Sequence, residues 1–266
     1  MTDNSLKTIP KDCCSFRRQA PVVIPISGVS TNNKLVGTSV RTVEVKGKVR
    51  FLTEGEKKMA KRFYSNNSGG SLIPYDKVTI REGMFADYDD RAVTKNGTSI
   101  HWPSPSYEED FSKASLVKQK TFIHEMAHIW QYHCGGWVAL NSLYHQGVSG
   151  QAAYNYDLDH LLGYYPVEAQ AHMIEDYYAL RYFGAPNYKK TSEDQYWDKN
   201  QKKYISGPVF LFGGFAADFI EKNNLNDIYL NKRYLYEAAL EPYKKALRYF
   251  LQDPTDKRGY TEKGKV

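Results

Sequence analysis

The amino-acid sequence predicts an α+β protein, and three observations carry that prediction. A reciprocal capping pattern opens a helix at Thr53, β-prone runs flank the dipeptide Asn96-Gly97, and two long helical stretches fill the middle of the chain. Together they describe a small β-sheet set before a helix-dominated remainder.

Residues 1–50 are rich in Ser, Thr, Asn, Val and Lys, carry Pro10, Pro21 and Pro25, and show no helical period. They read as an N-terminal arm or β-rich extension. VVIPISGV and RTVEVKGKVRFL are its candidate strands, the second alternating Val43 and Val45, then Val49 and Phe51. In TEGE, Thr53 is the N-cap and Glu56 lies three residues on, the spacing at which each side chain meets the other's backbone N–H. Met59, Ala60 and Phe63 share a face of that helix, and SNNSGGS stops it. DKVTIREG, residues 76–83, reads as a strand with Val78 and Ile80 on one side. Asn96-Gly97 signals a hairpin, because Asn and Gly tolerate turn conformations closed to most residues.

The next helix runs from about residue 112 to 134 and stops at Gly135-Gly136. Residues 152–165 are aromatic and ambiguous. A second helix starts at Pro166, whose missing N–H is harmless in a first turn, and closes at Gly184 and Pro186. Residues 187–201 read as a polar loop, 208–222 and 233–251 as helices, and the final DPTDKRGYTEKGKV as a frayed end. The expected organisation is an arm at 1–50, a core at 51–185 and a helical C-terminal subdomain at 186–266 packed on that core.

Composition narrows the function. Hydrophobic residues make up 41% of the 266 positions and charged residues 25%, an ordinary globular balance. The net charge is +6, but the signs are interspersed: KVRFLTEGEKKMAKR is offset by EGMFADYDDR. No basic stripe tracks phosphates, which argues against nucleic acid as a partner. Cys13, Cys14 and Cys134 form neither a disulfide framework nor a Cys-x-x-Cys pair, in keeping with synthesis in a reducing compartment. MTDNSLKTIPKDCCSFRRQ lacks the apolar stretch of a cleavable signal peptide. PVFLFGGFAADFI, residues 208–220, is too short and Gly-interrupted to be a transmembrane segment.

The stretch KTFIHEMAHIWQYH, residues 120–133, carries the chemistry. On a helix, side chains four apart share a face about 6 Å apart along the axis. His124 and His128 can therefore present ring nitrogens to one zinc ion, with Glu125 beside them to reach a water without ligating the metal. Phe122, Ile123, Met126, Ala127, Ile129 and Trp130 fill one sector and supply a packing face, which leaves the histidines to another role or to solvent. A catalytic zinc has three protein ligands. The continuation x-x-Gly-x-x-His fails here, since those positions hold Gln131 and Cys134, and His133 lies about 140° around from His128. The second helix offers Glu168, His172 and Glu175 on one face, with Asp176 at its edge and Glu168 in the first turn, where the helix dipole favours a carboxylate. An acidic solvent-facing surface is the alternative.

TFIHEMAHIWQ, YNYDL and YPVEAQAHMIEDYY resemble bacterial Vgr-related metallopeptidases, and LTEGEKKMAKRFY, IPYDKVTI and DFSKA stand in the same order. The resemblance spans about residues 51–182. It implies a gluzincin-like core, with His124, His128 and Glu168 as ligands of Zn2+, Glu125 as general base, and Gln170-Ala171 following the ligand. Ala169 and His172 depart from that pattern. It also implies association with type VI secretion and Rhs-type toxin components, hence a secreted effector without a signal peptide and a secretion-system carrier as partner. The expected reaction is zinc-dependent amide hydrolysis of a protein, peptide or peptidoglycan stem peptide. Tyr154 and Tyr156, with His160 behind them, are candidates to stabilise the oxyanion, and Asp157 or Asp176 to orient a histidine. A non-catalytic zinc-binding component of a secretion assembly and a peptidoglycan amidase are the alternatives.

Overall fold

A computed structural model of the chain describes residues 47–83, 91–136, 155–183, 191–198, 203–210 and 233–266. The expected arm lies outside the described residues apart from its last four. The architecture is α+β, with a four-stranded sheet and several helices.

Strands β1 (Val49–Phe51), β2 (Thr79–Glu82), β3 (Val93–Asn96) and β4 (Ser99–Trp102) form a mixed sheet in the order β1-β2-β4-β3. β2 and β4 run parallel, with Ile80 opposite Ile100, and both of those side chains are fully buried. The hairpin expected at Asn96-Gly97 joins β3 to β4. Asn96 Oδ1 accepts the Thr98 N–H at 2.9 Å and closes the turn. Gly97 is required by close approach: a Cβ there would meet the Tyr132 ring at 2.3 Å. The apolar pair of β1 faces solvent, with Val49 51% and Phe51 62% exposed. Arg50 takes the inward position, because its guanidinium forms a two-pronged pair with buried Glu56 at 2.8 and 2.7 Å.

Helix α1 (Glu54–Tyr64) begins with the predicted capping box: Glu56 N–H donates to Thr53 Oγ1 and Thr53 N–H to Glu56 Oε2. Helix α2 (Leu116–His133) starts about one turn later than expected. Asp110 caps a separate 3-10 turn at Phe111–Lys113, and the Ser115 side chain then caps α2 itself. Gly135, at φ +97°, ends it in the left-handed region. Helix α3 (Val167–Phe183) follows Pro166, whose carbonyl accepts the Gln170 N–H at 2.9 Å.

The main core lies around α2. Phe122, Ile123, Met126, Ile129 and Trp130 are fully buried, as are Tyr64, Phe111, Tyr243 and Phe250 from other elements. Fully burying such side chains contributes roughly 1.5–3 kcal/mol each, which fixes α2 firmly.

The C-terminal third differs from expectation in four places. Residues expected as loop form strand β5 (Thr191–Asp198), antiparallel to β6 (Lys203–Phe210) in unbroken register from Thr191↔Phe210 to Asp198↔Lys203. Residues 208–210 therefore belong to a strand, and the rest of the helix expected at 208–222 lies outside the described residues. The helix expected at 233–251 is two, α4 (Arg233–Ala246) and α5 (Arg248–Gln252). The end expected to fray is packed: it holds the short helix α6 (Arg258–Thr261), and Trp130 Nε1 donates to Pro254 O at 2.7 Å. Among the described residues no helix is long and apolar enough to cross a membrane.

Candidate metal centre

Helices α2 and α3 pack along one another, so the face of α2 that carries the histidines is covered by protein. One helical turn separates His124 from His128, and their rings meet edge to face at 4.8 Å. The first turn of α3 brings Glu168 against them. Three atoms converge: the two Nε2 atoms stand 3.1 Å apart, and Glu168 Oε2 lies 3.3 Å from that of His124 and 3.5 Å from that of His128.

That triangle can be tested against a metal. Zinc bonds to nitrogen and oxygen are about 2.0–2.2 Å, and a tetrahedron of that size has edges of about 3.3–3.5 Å. The two spacings to Glu168 match those edges and the one between the histidines, at 3.1 Å, is slightly shorter, while the donor set, two imidazoles and one carboxylate, is one that zinc accepts.

Each histidine is held from behind. His128 Nδ1 lies 2.8 Å from Gln131 Oε1, an amide oxygen that only accepts, so Nδ1 carries a proton and Nε2 is the nitrogen that faces the triangle. Gln131 is fully buried, and its amide nitrogen donates to Val167 O and Gln170 Oε1. His124 Nδ1 faces Glu175 Oε2 at 3.4 Å. Glu175 Oε1 lies 3.1 Å from His172 Nε2 and 3.6 Å from Lys120 Nζ. Lys120 also pairs with Asp176 at 2.8 Å.

Charge is unevenly matched. Glu125, Glu168, Glu175 and Asp176 are all buried, and Lys120 is the buried side chain of fixed positive charge among them. Uncompensated carboxylates in a poorly polar interior are costly, so the site draws positive charge. Burial opposes a charge on His124, yet hydrogen bonds and attraction to Glu168 and Glu175 hold it well above the ordinary imidazole range. Burial likewise opposes the charge on Glu168, but His128 and His124 hold its carboxyl well below the usual range. Glu175 is lowered to about 2, where Lys120, His172 and His124 outweigh its burial. A divalent cation on the triangle would supply the same compensation.

Glu125 is held from β3. Thr94 Oγ1 lies 2.7 Å from Glu125 Oε2 and 3.0 Å from the Glu125 carbonyl. The register of β3 shifts just after Thr94, and such a bulge re-aims neighbouring side chains. The Glu125 charge is close enough to act on His128.

The remaining expected residues sit elsewhere. Tyr156 donates to Asp176 Oδ2 at 2.5 Å and meets the Tyr243 hydroxyl at 2.6 Å. Its one proton is therefore on a carboxylate. Tyr154 lies outside the described residues. His160 stacks on Tyr164 at 3.9 Å, and Asp157 accepts from Tyr165 at 2.5 Å rather than from a histidine. His133 Nε2 is 2.9 Å from Gly97 O, away from the triangle. Sequence reasoning missed Gln131 and the role of Glu175 as the groups behind the histidines. A signal was present for both: Gln131 is one turn beyond His128, and Glu175 shares a face with Glu168.

Comparison with known proteins places this geometry in context. No family model matches the chain. The type VI secretion system spike protein VgrG2b of Pseudomonas aeruginosa is 30% identical over 165 residues, which are 58% of this chain and 16% of the relative. The chain is similar in sequence to a Vgr spike protein. It spans only that 16% of the relative's length. Among solved structures, the effector domain of Pseudomonas aeruginosa VgrG2b matches with 33% identity and a TM-score of 0.44, over 51% of this chain and 76% of that one.

Proposed function

We propose that this protein is a zinc-dependent hydrolase that cleaves amide bonds, with His124, His128 and Glu168 holding the ion and Glu125 as general base. One observation carries the reading: the three candidate ligand atoms converge on one another, and Glu125, next to the first of them, is not among them but is held by Thr94. A purely structural zinc site would be closed by a fourth protein ligand, and among the described residues the cluster of candidate ligands has three members.

When bound, zinc supplies a Lewis acid that polarises the scissile carbonyl and makes water acidic enough to ionise near neutral pH. Glu125 takes the proton of the attacking water and returns it to the leaving amine. Thr94 holds Glu125 Oε2, so Oε1 is the oxygen that receives the proton. Gln131 keeps His128 in the tautomer that leaves Nε2 unprotonated. Tyr156 enters as a support of α3 through Asp176, and Tyr154 keeps the proposed role of second stabiliser of the oxyanion. Similarity to part of a spike protein supports the further reading that the chain is an effector exported by a contact-dependent secretion system, with a spike or carrier protein as partner.

The test combines metal analysis with turnover on a peptide library and on purified peptidoglycan. Glu125→Gln should retain about one zinc per chain and lose roughly 10²–10⁴-fold in turnover. Glu168→Ala should release the metal on dialysis. Unchanged turnover in the first variant, or full zinc retention in the second, overturns the assignment of that residue. Release of stem peptides without cleavage of the library marks a peptidoglycan amidase.

A further inference from the structure

We propose that Glu175, anchored by Lys120, is the positioning residue that sets the tautomer and orientation of His124 for metal binding. The proposal rests on the reading of His124, His128 and Glu168 as a metal centre.

The two histidines have different backing. His128 Nδ1 is met by Gln131, a neutral amide, at 2.8 Å. His124 Nδ1 is met by a carboxylate, Glu175 Oε2 at 3.4 Å, on the side of the ring opposite the Nε2 that faces Glu168. With a cation on the triangle, the Nδ1–H tautomer is the one that lets His124 turn its proton to Glu175 and keep a lone pair on Nε2 for the ion. A carboxylate behind a ligand imidazole also makes the ring a stronger donor to a cation than an amide does.

Glu175 is not needed to neutralise Lys120. Asp176 already lies 2.8 Å from the lysine, whereas Glu175 lies 3.6 Å away. The second carboxylate is therefore surplus to that ion pair, and its oxygens are divided between His124 and His172. Lys120 and His172 together fix the Glu175 carboxylate across the α2–α3 contact. Asp176 is steadied in turn by Tyr156. The chain of contacts runs from the lysine, through the carboxylate, to Nδ1 of the His124 ring, whose other nitrogen faces the triangle.

The experiment uses the full chain with Co2+ as a spectroscopic probe and Zn2+ for affinity. Zinc affinity is measured by competition with a chromophoric chelator in the wild type, Glu175→Gln and Glu168→Ala. Glu175→Gln should bind zinc roughly 10–100-fold more weakly and alter the visible absorption of the cobalt form, while Glu168→Ala should lose tight binding altogether. If Glu168→Ala abolishes binding but Glu175→Gln binds within about threefold of wild type with an unchanged cobalt spectrum, the positioning role is overturned and the metal centre stands. If neither variant moves binding, the metal centre itself is wrong. Should Glu175→Gln fail to fold, ¹⁵N-histidine spectra of the zinc-loaded wild type decide the matter. An Nδ1 proton on His124 that is shifted downfield and slow to exchange, as a bond to a carboxylate makes it, supports the proposal, and an Nδ1 proton that exchanges freely with solvent overturns it.

Discussion

Asp110 accepts from the hydroxyl and N–H of Ser112 at 2.6 and 3.1 Å and from the Thr53 hydroxyl at 3.0 Å, and Lys113 Nζ lies 3.0 Å away. Burial opposes its charge, but Ser112, Lys113 and Thr53 outweigh it and lower the carboxyl from 3.8 to about 2. Between those values the unfolded chain binds more protons than the folded one. The stabilisation is therefore complete above about pH 4 and is lost as pH falls through about 2. Asp110→Asn should lower stability by about 1–2 kcal/mol at pH 5, and the gap to wild type should close by pH 2 in urea titrations. A gap that stays constant across this range would show that the charge is not what matters. At this same scale the candidate site was only half legible. His124 and His128 could be read as a pair because helical spacing is a local property of the sequence, whereas Glu168 was singled out among the acidic residues of its face by the family resemblance. Gln131 and Glu175 stood at suggestive positions, but their roles could not be read, because a residue that backs a histidine is defined by the rotamer of its partner and by the helix across the way.

Elements were legible where their cause is local. The capping box of α1 needs four consecutive residues, and all four are in the sequence. Strands β5 and β6 are held by a two-stranded backbone ladder, which asks for no alternating apolar face, so the polar run around SEDQ looked like a loop. β1 misled differently, since its inward position is charged and its apolar residues face out. The explanation is Glu56, fully buried, which binds Arg50 twice and accepts backbone N–H groups from Thr53 and Phe111 at 2.8 Å. One carboxylate thus ties β1, the start of α1 and the turn before α2 together. Glu56→Ala leaves the part-buried Arg50 guanidinium without its carboxylate, with only the Tyr107 hydroxyl and the Phe51 and Glu108 carbonyls as partners, and two N–H groups without acceptors, and should cost about 3–5 kcal/mol by chemical denaturation. A loss below about 1 kcal/mol would mean that water replaces the carboxylate and that the junction is held by its apolar contacts.

Across residues 47–266, the candidate metal centre depends on a packed C-terminus that lies far from it in sequence. Trp130, two residues beyond His128, is fully buried against Phe250 and Tyr260, and its indole N–H is satisfied by the Pro254 carbonyl. The tail returns along residues 159–163: Leu161 N–H donates to Gly264 O at 2.8 Å and Val266 N–H to Asp159 O at 3.1 Å. Gly163 makes that return possible, since a Cβ there would meet the carbonyl oxygens of Tyr260 and Glu262 at 2.5 and 2.6 Å. Backbone atoms cannot rotate away as a side chain can, so a methyl group must push the tail outward. Gly163→Ala should therefore loosen Tyr260 and Pro254 from Trp130 and leave the indole N–H without its partner, lowering stability by about 2–4 kcal/mol. Amide exchange should accelerate at Leu161 and Val266, whereas the β2–β4 ladder, where Ile80 stands opposite Ile100, should keep its protection. If exchange at those two amides is unchanged and stability falls by less than about 0.5 kcal/mol, the tail does not brace α2, and the helix that carries both histidines is held by the sheet and α3 alone.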